Sequence, residues 1–187
     1  ICMSEMVPAW VNGTLAPVEK LRAHQLGLRH LAVSVFVLNG TDILLQRRAM
    51  GKYHTPGLWT NTCCTHPRWG ESPADCATRR LCEELGITGL DLGPAGHIEY
   101  RAEVGNGLTE HEVVDVFAAQ ASHDLQLDLN PAEVMATKWI TRADLTDAVL
   151  REPEMFTPWL RIYLEAGVGE LTGHCRGSFL ADGAASF

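Results

Sequence analysis

The spacing of apolar residues in the first third of the chain predicts two adjacent β-strands. Residues 30–38, HLAVSVFVL, are rich in β-branched and aromatic residues, and residues 42–47, DILLQR, form a second apolar run. Between the two runs lie Asn39, Gly40 and Thr41, which include residue types that favour tight turns. The pattern therefore predicts a β-hairpin.

A helical repeat follows, and both of its ends carry recognisable signals. Ser72 is a preferred N-cap residue, Pro73 suits the first helical position, and Gly86 provides a stop. The helix between them has one apolar stripe, made of Ala77, Leu81 and Leu85. Glu84 falls at the edge of that stripe, where a carboxylate needs a cationic or metal partner. A pair with Arg80, one turn earlier, would also satisfy it.

Further strands and helices follow the same logic. Strands are expected at about 98–104, 111–119 and 136–140, and helices at about 142–151 and 157–166. Strands in two runs, with helices between and after them, predict a single α/β (α+β) domain in which a mixed β-sheet is sandwiched between helices. The expected division is an N-terminal extension over 1–15, the domain over 16–166, and a flexible tail over 167–187.

Composition and charge narrow the classes of function. A chain of 187 residues that is 46% hydrophobic can bury one sizeable core. The formal net charge of -8 disfavours a nucleic-acid surface, because binding a phosphate backbone needs a basic patch. No apolar run in the sequence approaches the ~20 residues of a membrane span, and the first residues lack a signal-peptide pattern. We therefore expect a cytoplasmic protein, monomeric or weakly dimeric, without nucleic-acid or membrane partners.

The cysteines suggest chemistry rather than cross-linking. They fit no repeated Cys-x-x-Cys spacing, which argues against a secreted disulfide framework. Cys63 and Cys64 are adjacent in the segment NTCCTHPRWGES. Neighbouring side chains on a strand point to opposite faces, so the two thiols cannot both fill the core or easily bridge each other. One of them is expected to face something other than the core.

A pair of carboxylates forms a second unusual pattern, in the segment GLTEHEVVDVFAAQ. On a strand, Glu110 and Glu112 share one face with an apolar row, and His111 lies on the other face. Two close carboxylates repel and shift each other's pKa unless a cation separates them, so metal binding or acid–base chemistry would explain the pair. The alternative is a strand end at which both acids reach water.

Histidines and basic residues could complete such a site. Mixed nitrogen and oxygen ligands suit Mn²⁺, Fe²⁺, Zn²⁺ or Mg²⁺, and the candidate nitrogen ligands are His24, His30 and His66. Each histidine taken alone is more often a surface or satisfied core residue.

Basic residues near the predicted hairpin and helix could bind a phosphate group; they are Lys20, Arg47, Arg48, Lys52 and Arg80. The alternative is that they form a solvated rim of the hairpin. Trp159 could stabilise a cation if it faced a pocket, or simply pack in the core or a lid.

Taken together, these segments resemble a type I isopentenyl-diphosphate isomerase of the Nudix superfamily. The matching segments, within residues 17–164, are TNTCCTHP, GES, RRLCEELG, YRAEVGNGLTEHEV and FTPWL, in that order. The resemblance implies a Nudix-like fold and an enzyme of isoprenoid biosynthesis that interconverts isopentenyl and dimethylallyl diphosphate through a tertiary carbocation. Adding a proton to an alkene and removing another from the far side requires an acid and a base.

The resemblance also implies roles for individual residues. Cys64 is the implied catalytic thiol, and Glu112 is its partner across the substrate, assisted by Tyr100. Trp159 would stabilise the carbocation. One divalent ion, Mn²⁺, Mg²⁺ or Zn²⁺, would bind the implied ligands His24, His30, His66, Glu110 and Glu112. A second ion, Mg²⁺, would bridge Glu84, the Cys64 carbonyl and the diphosphate. The cations implied to hold that diphosphate are Lys20, Arg48, Lys52 and Arg80.

The chain departs from the family pattern at two places, and two other functions compete. Only five residues separate His24 from His30, one fewer than usual, and Thr65 follows the cysteine where glycine or serine is common.

A Nudix hydrolase of a nucleoside diphosphate derivative is one alternative function. Against it, Arg80 occupies a position where the hydrolase helix motif REUxEExG has a glutamate that helps a metal to activate water. A non-enzymatic metal-binding module is the other, and it leaves Cys64 without a role.

Overall fold

A computed structural model describes residues 5–167 of the chain. Within them the strands are β1 (Met6–Val11), β2 (Thr14–Glu19), β3 (Arg29–Asn39), β4 (Asp42–Arg48), β5 (Trp59–Thr60), β6 (Cys63–Thr65), β7 (Gly93–Gly105), β8 (Leu108–Gln120) and β9 (Val134–Thr141). The helices are α1 (Lys20–Gln25), α2 (Pro73–Leu85), α3 (Arg142–Arg151) and α4 (Pro158–Glu165), with a 3₁₀ turn at Pro153–Met155. No helix in this part of the chain is long and apolar enough to cross a membrane.

The strands join one mixed sheet that is organised around β3. Along one edge, β3 runs parallel to β8, from the pair Arg29–His111 to the pair Leu38–Gln120. Along the other edge, it pairs in succession with β1, β6 and β4. β7 extends the sheet beyond β8, and β9 and β5 both pair with β4. The mixed sheet predicted from the sequence is confirmed.

Helices cover both faces of this sheet, because side chains of β3 alternate between two cores. One core joins α2 to the odd-numbered positions Val33, Val35 and Val37. The other core joins α3 and α4 to even-numbered positions such as Ala32 and Phe36. The predicted sandwich of a sheet between helices is therefore also confirmed, and it places α4 on the face opposite α2.

Helix α2 begins and ends at the residues that the sequence predicted. The Ser72 hydroxyl accepts a hydrogen bond of 3.1 Å from the Asp75 amide, which satisfies one of the free N–H groups at the helix start. Gly86 ends the helix in the left-handed region, with φ at 69°, and its amide donates to the Cys82 carbonyl. These signals are local in sequence, which is why the helix could be predicted closely.

A left-handed conformation costs an ordinary residue about 1–2 kcal/mol. Gly86→Ala is expected to destabilise the protein by more than this. An added Cβ would lie 2.6 Å from Asp128 Cβ and 2.9 Å from the Asp128 amide nitrogen. Gly89 is a matched control, since it has φ at 74° and no atom within 4 Å of an added Cβ. Urea unfolding of both alanine variants compares the losses, and equal losses would contradict the close approach of Asp128.

The predicted hairpin of β3 and β4 forms only at its turn. The pairs between the two strands are Leu38–Ile43 and Asn39–Asp42, and β6 and β9 then occupy the adjoining edges. The two strands and their antiparallel hairpin were therefore predicted correctly, but the hairpin has only these two pairs. Hydrophobic alternation fixes which face a side chain occupies but does not name the neighbouring strand.

The segment predicted as an N-terminal extension before residue 16 contributes to the sheet. Asn12 and Gly13 have φ values of 51° and 80°, as in the turn of a two-residue hairpin between β1 and β2. β1 then pairs with β3 at Ala9–His30. The Asn-Gly pair was a signal that could have found this hairpin, and the short elements α1 and β5 were likewise not predicted. Apart from Gly167, the predicted tail lies outside the described residues.

Candidate active site

A narrow cleft on the α4 face of the sheet gathers most of the predicted site residues. It encloses about 30 Å³, which is room for roughly one water molecule. The predicted residues that line it are Lys20, Arg48, Lys52, Cys64, His66, Arg80, Tyr100, Glu110, Glu112 and Trp159. His24, His30 and Glu84 are buried but do not line the cleft. A thiol, two carboxylates, an indole and four cations therefore share one small space.

The two adjacent cysteines occupy opposite faces of β6. Cys63 is fully buried in the core beside α2, whereas Cys64 is partly buried on the α4 face and lines the cleft. The Cys64 thiol donates a 3.0 Å hydrogen bond to Asn61 Oδ1 and lies 3.2 Å from Ser34 Oγ. Burial raises the pKa of Cys64 to about 12, so the thiol carries its proton at neutral pH.

Asn61 and Ser34 hold this thiol in place, and neither was singled out from the sequence. The Asn61 amide nitrogen donates to Ser34 Oγ at 2.8 Å and also to the carbonyls of Val35 and Cys63. Both side chains are fully buried, so the amide has little freedom to turn. The position of Asn61 three residues before Cys64 was the available signal, although polar residues near a cysteine are too common to identify a contact.

The two carboxylates of β8 point into the same cleft as the thiol. Glu110 and Glu112 are buried, and the Tyr100 hydroxyl lies 2.9 Å from the first and 2.7 Å from the second. Burial and the charge of Glu112 raise the pKa of Glu110 well above its usual value. Burial opposes ionisation of Glu112 too, but His66 and His30 hold its pKa well below the usual range. A solvated strand end, the alternative considered from the sequence, does not describe these residues.

Three histidines turn one ring nitrogen toward the carboxylates. His24 Nδ1 and His30 Nδ1 each lie 2.7 Å from a backbone carbonyl, of Lys20 and Leu28. A carbonyl only accepts, so both rings carry hydrogen on Nδ1, and in a neutral ring Nε2 is then the acceptor that can bind a metal ion. His66 Nε2 lies 3.2 Å from His30 Nε2 and 2.8 Å from Glu112 Oε1. The shorter His24–His30 connection therefore keeps His24 within the cluster.

This donor set fits a divalent metal ion. The ligand atoms of His24, His30, His66 and Glu112 all lie within 4.8 Å of one another. His24 Nε2 is buried and has no hydrogen-bond partner within residues 5–167, and an unpaired buried acceptor is costly. Imidazole nitrogens and carboxylate oxygens together suit Mn²⁺, Zn²⁺ or Fe²⁺.

One further histidine, His54, belongs to the same region and was missed. Its group with His24 and Glu110 also keeps all ligand atoms within 4.8 Å. His54 lies in the loop between β4 and β5, where no periodic pattern gives a side chain a direction. The sequence therefore does not indicate where the His54 side chain points, and only the folded structure shows that it lies near His24 and Glu110.

Four cations line the cleft, and acids hold three of them. Lys20 Nζ lies 3.0 Å from Glu5, Lys52 pairs with Glu133, and Arg80 lies 2.5 Å from Glu84. Arg48 instead donates to the carbonyls of Thr55 and His54, and its guanidinium lies 5.2 Å from the centre of the Trp159 ring. Arg47, by contrast, does not line this cleft.

Glu84 and Trp159 occupy positions that bear on the alternatives raised by the sequence. Besides Arg80, Glu84 accepts a hydrogen bond of 3.0 Å from Gln46, so it has two protein partners. Trp159 is buried, its indole nitrogen donates to Thr60 Oγ1 at 2.8 Å, and it lines the cleft. Fixing the N–H edge in this way leaves the ring able to face a cation.

Comparisons with known proteins agree on the family of the chain. A model of the NUDIX domain matches residues 28–161. An isopentenyl-diphosphate Delta-isomerase of Cereibacter sphaeroides is 64% identical over 174 residues, which cover 93% of this chain and 98% of that protein. One from Dinoroseobacter shibae is 64% identical over 162 residues, covering 87% of this chain and 92% of that protein. The crystal structure of DR0079 from Deinococcus radiodurans has a TM-score of 0.67 at 16% identity, covers 90% of this chain and 100% of that one, and supports the fold.

Proposed function

This chain belongs to the isopentenyl-diphosphate Delta-isomerases of the Nudix superfamily, and we propose that Cys64 and Glu112 carry out its proton transfers across the cleft. The enzyme interconverts isopentenyl diphosphate and dimethylallyl diphosphate. One proton must be added to the alkene and another removed from the opposite side of the resulting carbocation. The observation that supports the assignment is that the Cys64 thiol and the Glu112 carboxylate line one small cavity.

Each of the two groups serves as acid in one direction and as base in the other, because the reaction is reversible. On the thiol side, Asn61 and Ser34 fix the Cys64 sulfur. On the carboxylate side, the Tyr100 hydroxyl touches both Glu110 and Glu112 and can relay a proton between them. The Trp159 ring can stabilise the positive charge between the two sides without attacking it.

A divalent ion would be held by His24, His30, His66, Glu110 and Glu112. The fit rests on the unpaired Nε2 of His24 and on the convergence of donor atoms described above. We propose Mn²⁺, Mg²⁺ or Zn²⁺ for this site. When bound, such an ion supplies positive charge that lets two buried carboxylates stay close and ionised.

We further propose that Lys20, Arg48, Lys52 and Arg80 bind the diphosphate, together with a Mg²⁺ held by Glu84 and the Cys64 carbonyl. The cleft encloses about 30 Å³, and we propose that it opens when the substrate binds. Lys20 is paired with Glu5, and Lys52 with Glu133. On binding, diphosphate oxygens would replace these two acids, and the flexible lysine side chains would move with the change of partner. Closure around the substrate then keeps water from trapping the carbocation.

Incubation with isopentenyl diphosphate and Mg²⁺ in D₂O, followed by NMR, tests the function. We expect dimethylallyl diphosphate to appear with deuterium incorporated, because the added proton comes from an enzyme group in exchange with solvent. The diphosphate ester should stay intact throughout. Release of inorganic phosphate or pyrophosphate without isomer formation would favour hydrolysis and contradict the proposal.

A further inference from the structure

His54 is a buried side chain of the cleft for which neither the family resemblance nor the proposed mechanism gives a role. It is 4% exposed and lies between two site residues, its ring stacked 5.7 Å from that of His24 and edge-on to that of Trp159 at 5.8 Å. Its Nε2 is 3.8 Å from Glu110 Oε1. That separation is too long for a hydrogen bond, but an ion placed between the two atoms could contact both.

The ring of His54 is oriented like the rings of His24 and His30. Its Nδ1 lies 3.1 Å from Thr55 Oγ1, just as the Nδ1 atoms of His24 and His30 lie against backbone carbonyls. In all three rings an outer oxygen engages Nδ1 and leaves Nε2 directed toward the cluster. Engagement of the distal nitrogen by an oxygen is the usual support of a metal-bound histidine.

The backbone next to His54 is strained in a way that supports this orientation. Thr55 has φ at 46°, a left-handed conformation that is unusual for a β-branched residue. Two contacts hold it there, since its hydroxyl meets His54 Nδ1 and its carbonyl accepts from Arg48 Nε at 3.2 Å. Strain of this kind persists where surrounding contacts fix a functional side chain.

We propose that His54 is a sixth protein ligand of the divalent ion, completing a set of four imidazoles and two carboxylates. The two groups of converging donors share His24, whose buried Nε2 is unpaired within the described residues. Within each group the ligand atoms lie within 4.8 Å of one another, so side-chain and loop shifts on metal binding would merge the two groups around the ion that they share through His24. The inference deepens the metal site proposed above and rests on it.

A complete protein coordination sphere would decide what the ion does. Catalytic metal sites that activate water keep an open position, whereas sites closed by protein ligands hold structure and charge. An ion held by six side chains would therefore fix Glu110 and Glu112 without binding water for attack on phosphate. This distinguishes the chemistry of the cleft from that of a metal-assisted hydrolase.

Titration of the metal-free protein with Co²⁺ tests the inference. We expect one ion per chain in the unaltered protein, with the weak visible absorption of six-coordinate cobalt. His54→Ala should bind Co²⁺ at least about tenfold more weakly and absorb more strongly, because fewer ligands remain. The imidazole signals shifted by cobalt in the NMR spectrum should fall from four rings to three. His97→Ala is the matched control, since His97 is exposed and, within residues 5–167, forms an ion pair only with the half-buried Asp115.

His54→Gln extends the test, because it keeps most of the buried volume if the alanine variant fails to fold. Unfolding of the metal-free variants, followed by circular dichroism, establishes that each starts from a folded protein. Unchanged Co²⁺ affinity, absorption and four shifted rings in a folded His54 variant would overturn the role of His54 and leave the metal site intact. Failure of the unaltered protein to bind Co²⁺ would overturn both. Neither readout depends on turnover.

Discussion

Cys64→Ala is expected to lower kcat for isopentenyl diphosphate by at least about 10³-fold, within the range that a positioned acid or base contributes. The thiol is the group on its side of the cleft that we propose to exchange a proton with the substrate. Its loss removes hydrogen bonds to Asn61 and Ser34 but little apolar contact, since Cys64 is only partly buried. The variant should therefore remain folded, with a thermal unfolding midpoint close to that of the unaltered protein.

Cys63→Ala is the matched control, because it removes the adjacent thiol from the opposite face of the same strand. Cys63 packs in the core beside α2, so its loss should cost on the order of 1 kcal/mol of stability and leave kcat within a few-fold. Deuterium incorporation in D₂O and thermal unfolding measure the two effects separately. If Cys63→Ala were inactive and Cys64→Ala active, the thiol assignment would be wrong.

The sequence predicted those features that depend on local periodicity. Alternation along β8 put Glu110 and Glu112 on the face of Val114 and Val116, and the structure finds all four in that relation. The same rule separated Cys63 from Cys64. In each case the side-chain direction follows from a period of two, which needs no knowledge of neighbouring strands.

Features that depend on contacts between distant segments could not be predicted in this way. β4 pairs with β9, about ninety residues later, rather than along β3. The partners of the cleft cations, Glu5 and Glu133, are also far from Lys20 and Lys52 in sequence. Nothing in the local pattern of a charged residue names its partner, and several acids would satisfy each cation equally well. The family resemblance supplied candidate roles for the cations but not these ion pairs.

We propose that the ion pairs of the cleft lysines let an acidic protein bind a diphosphate. Each lysine of the cleft is already paired with a carboxylate, so the net charge of -8 coexists with a local excess of donors. Substrate oxygens would replace those carboxylates rather than meet unpaired charges. Arg48 differs, because backbone carbonyls rather than an acid hold it, so under the same proposal no acid has to leave it on binding.

Glu112→Gln is expected to lower kcat by at least about 10³-fold and to weaken binding of the divalent ion. Glu112 combines three contacts, with His66 Nε2 at 2.8 Å, the Tyr100 hydroxyl at 2.7 Å and His30 Nε2 at 3.6 Å. An amide has nearly the same shape but can neither accept a proton at working pH nor supply negative charge to an ion. One substitution should thus remove both the proton acceptor and a metal ligand.

Two comparisons separate these effects from a general loss of structure. Glu103→Gln, on the neighbouring β7 with 68% of its side chain exposed, is the matched control and should leave kcat unchanged. Tyr100→Phe keeps both carboxylates and removes only the phenol, so it should retain metal binding while kcat falls by a smaller factor. Turnover in D₂O and Co²⁺ titration report the two quantities independently. If Glu112→Gln raised only KM, Glu112 would be a residue for substrate binding, and the proton would have to leave the carbocation toward another group.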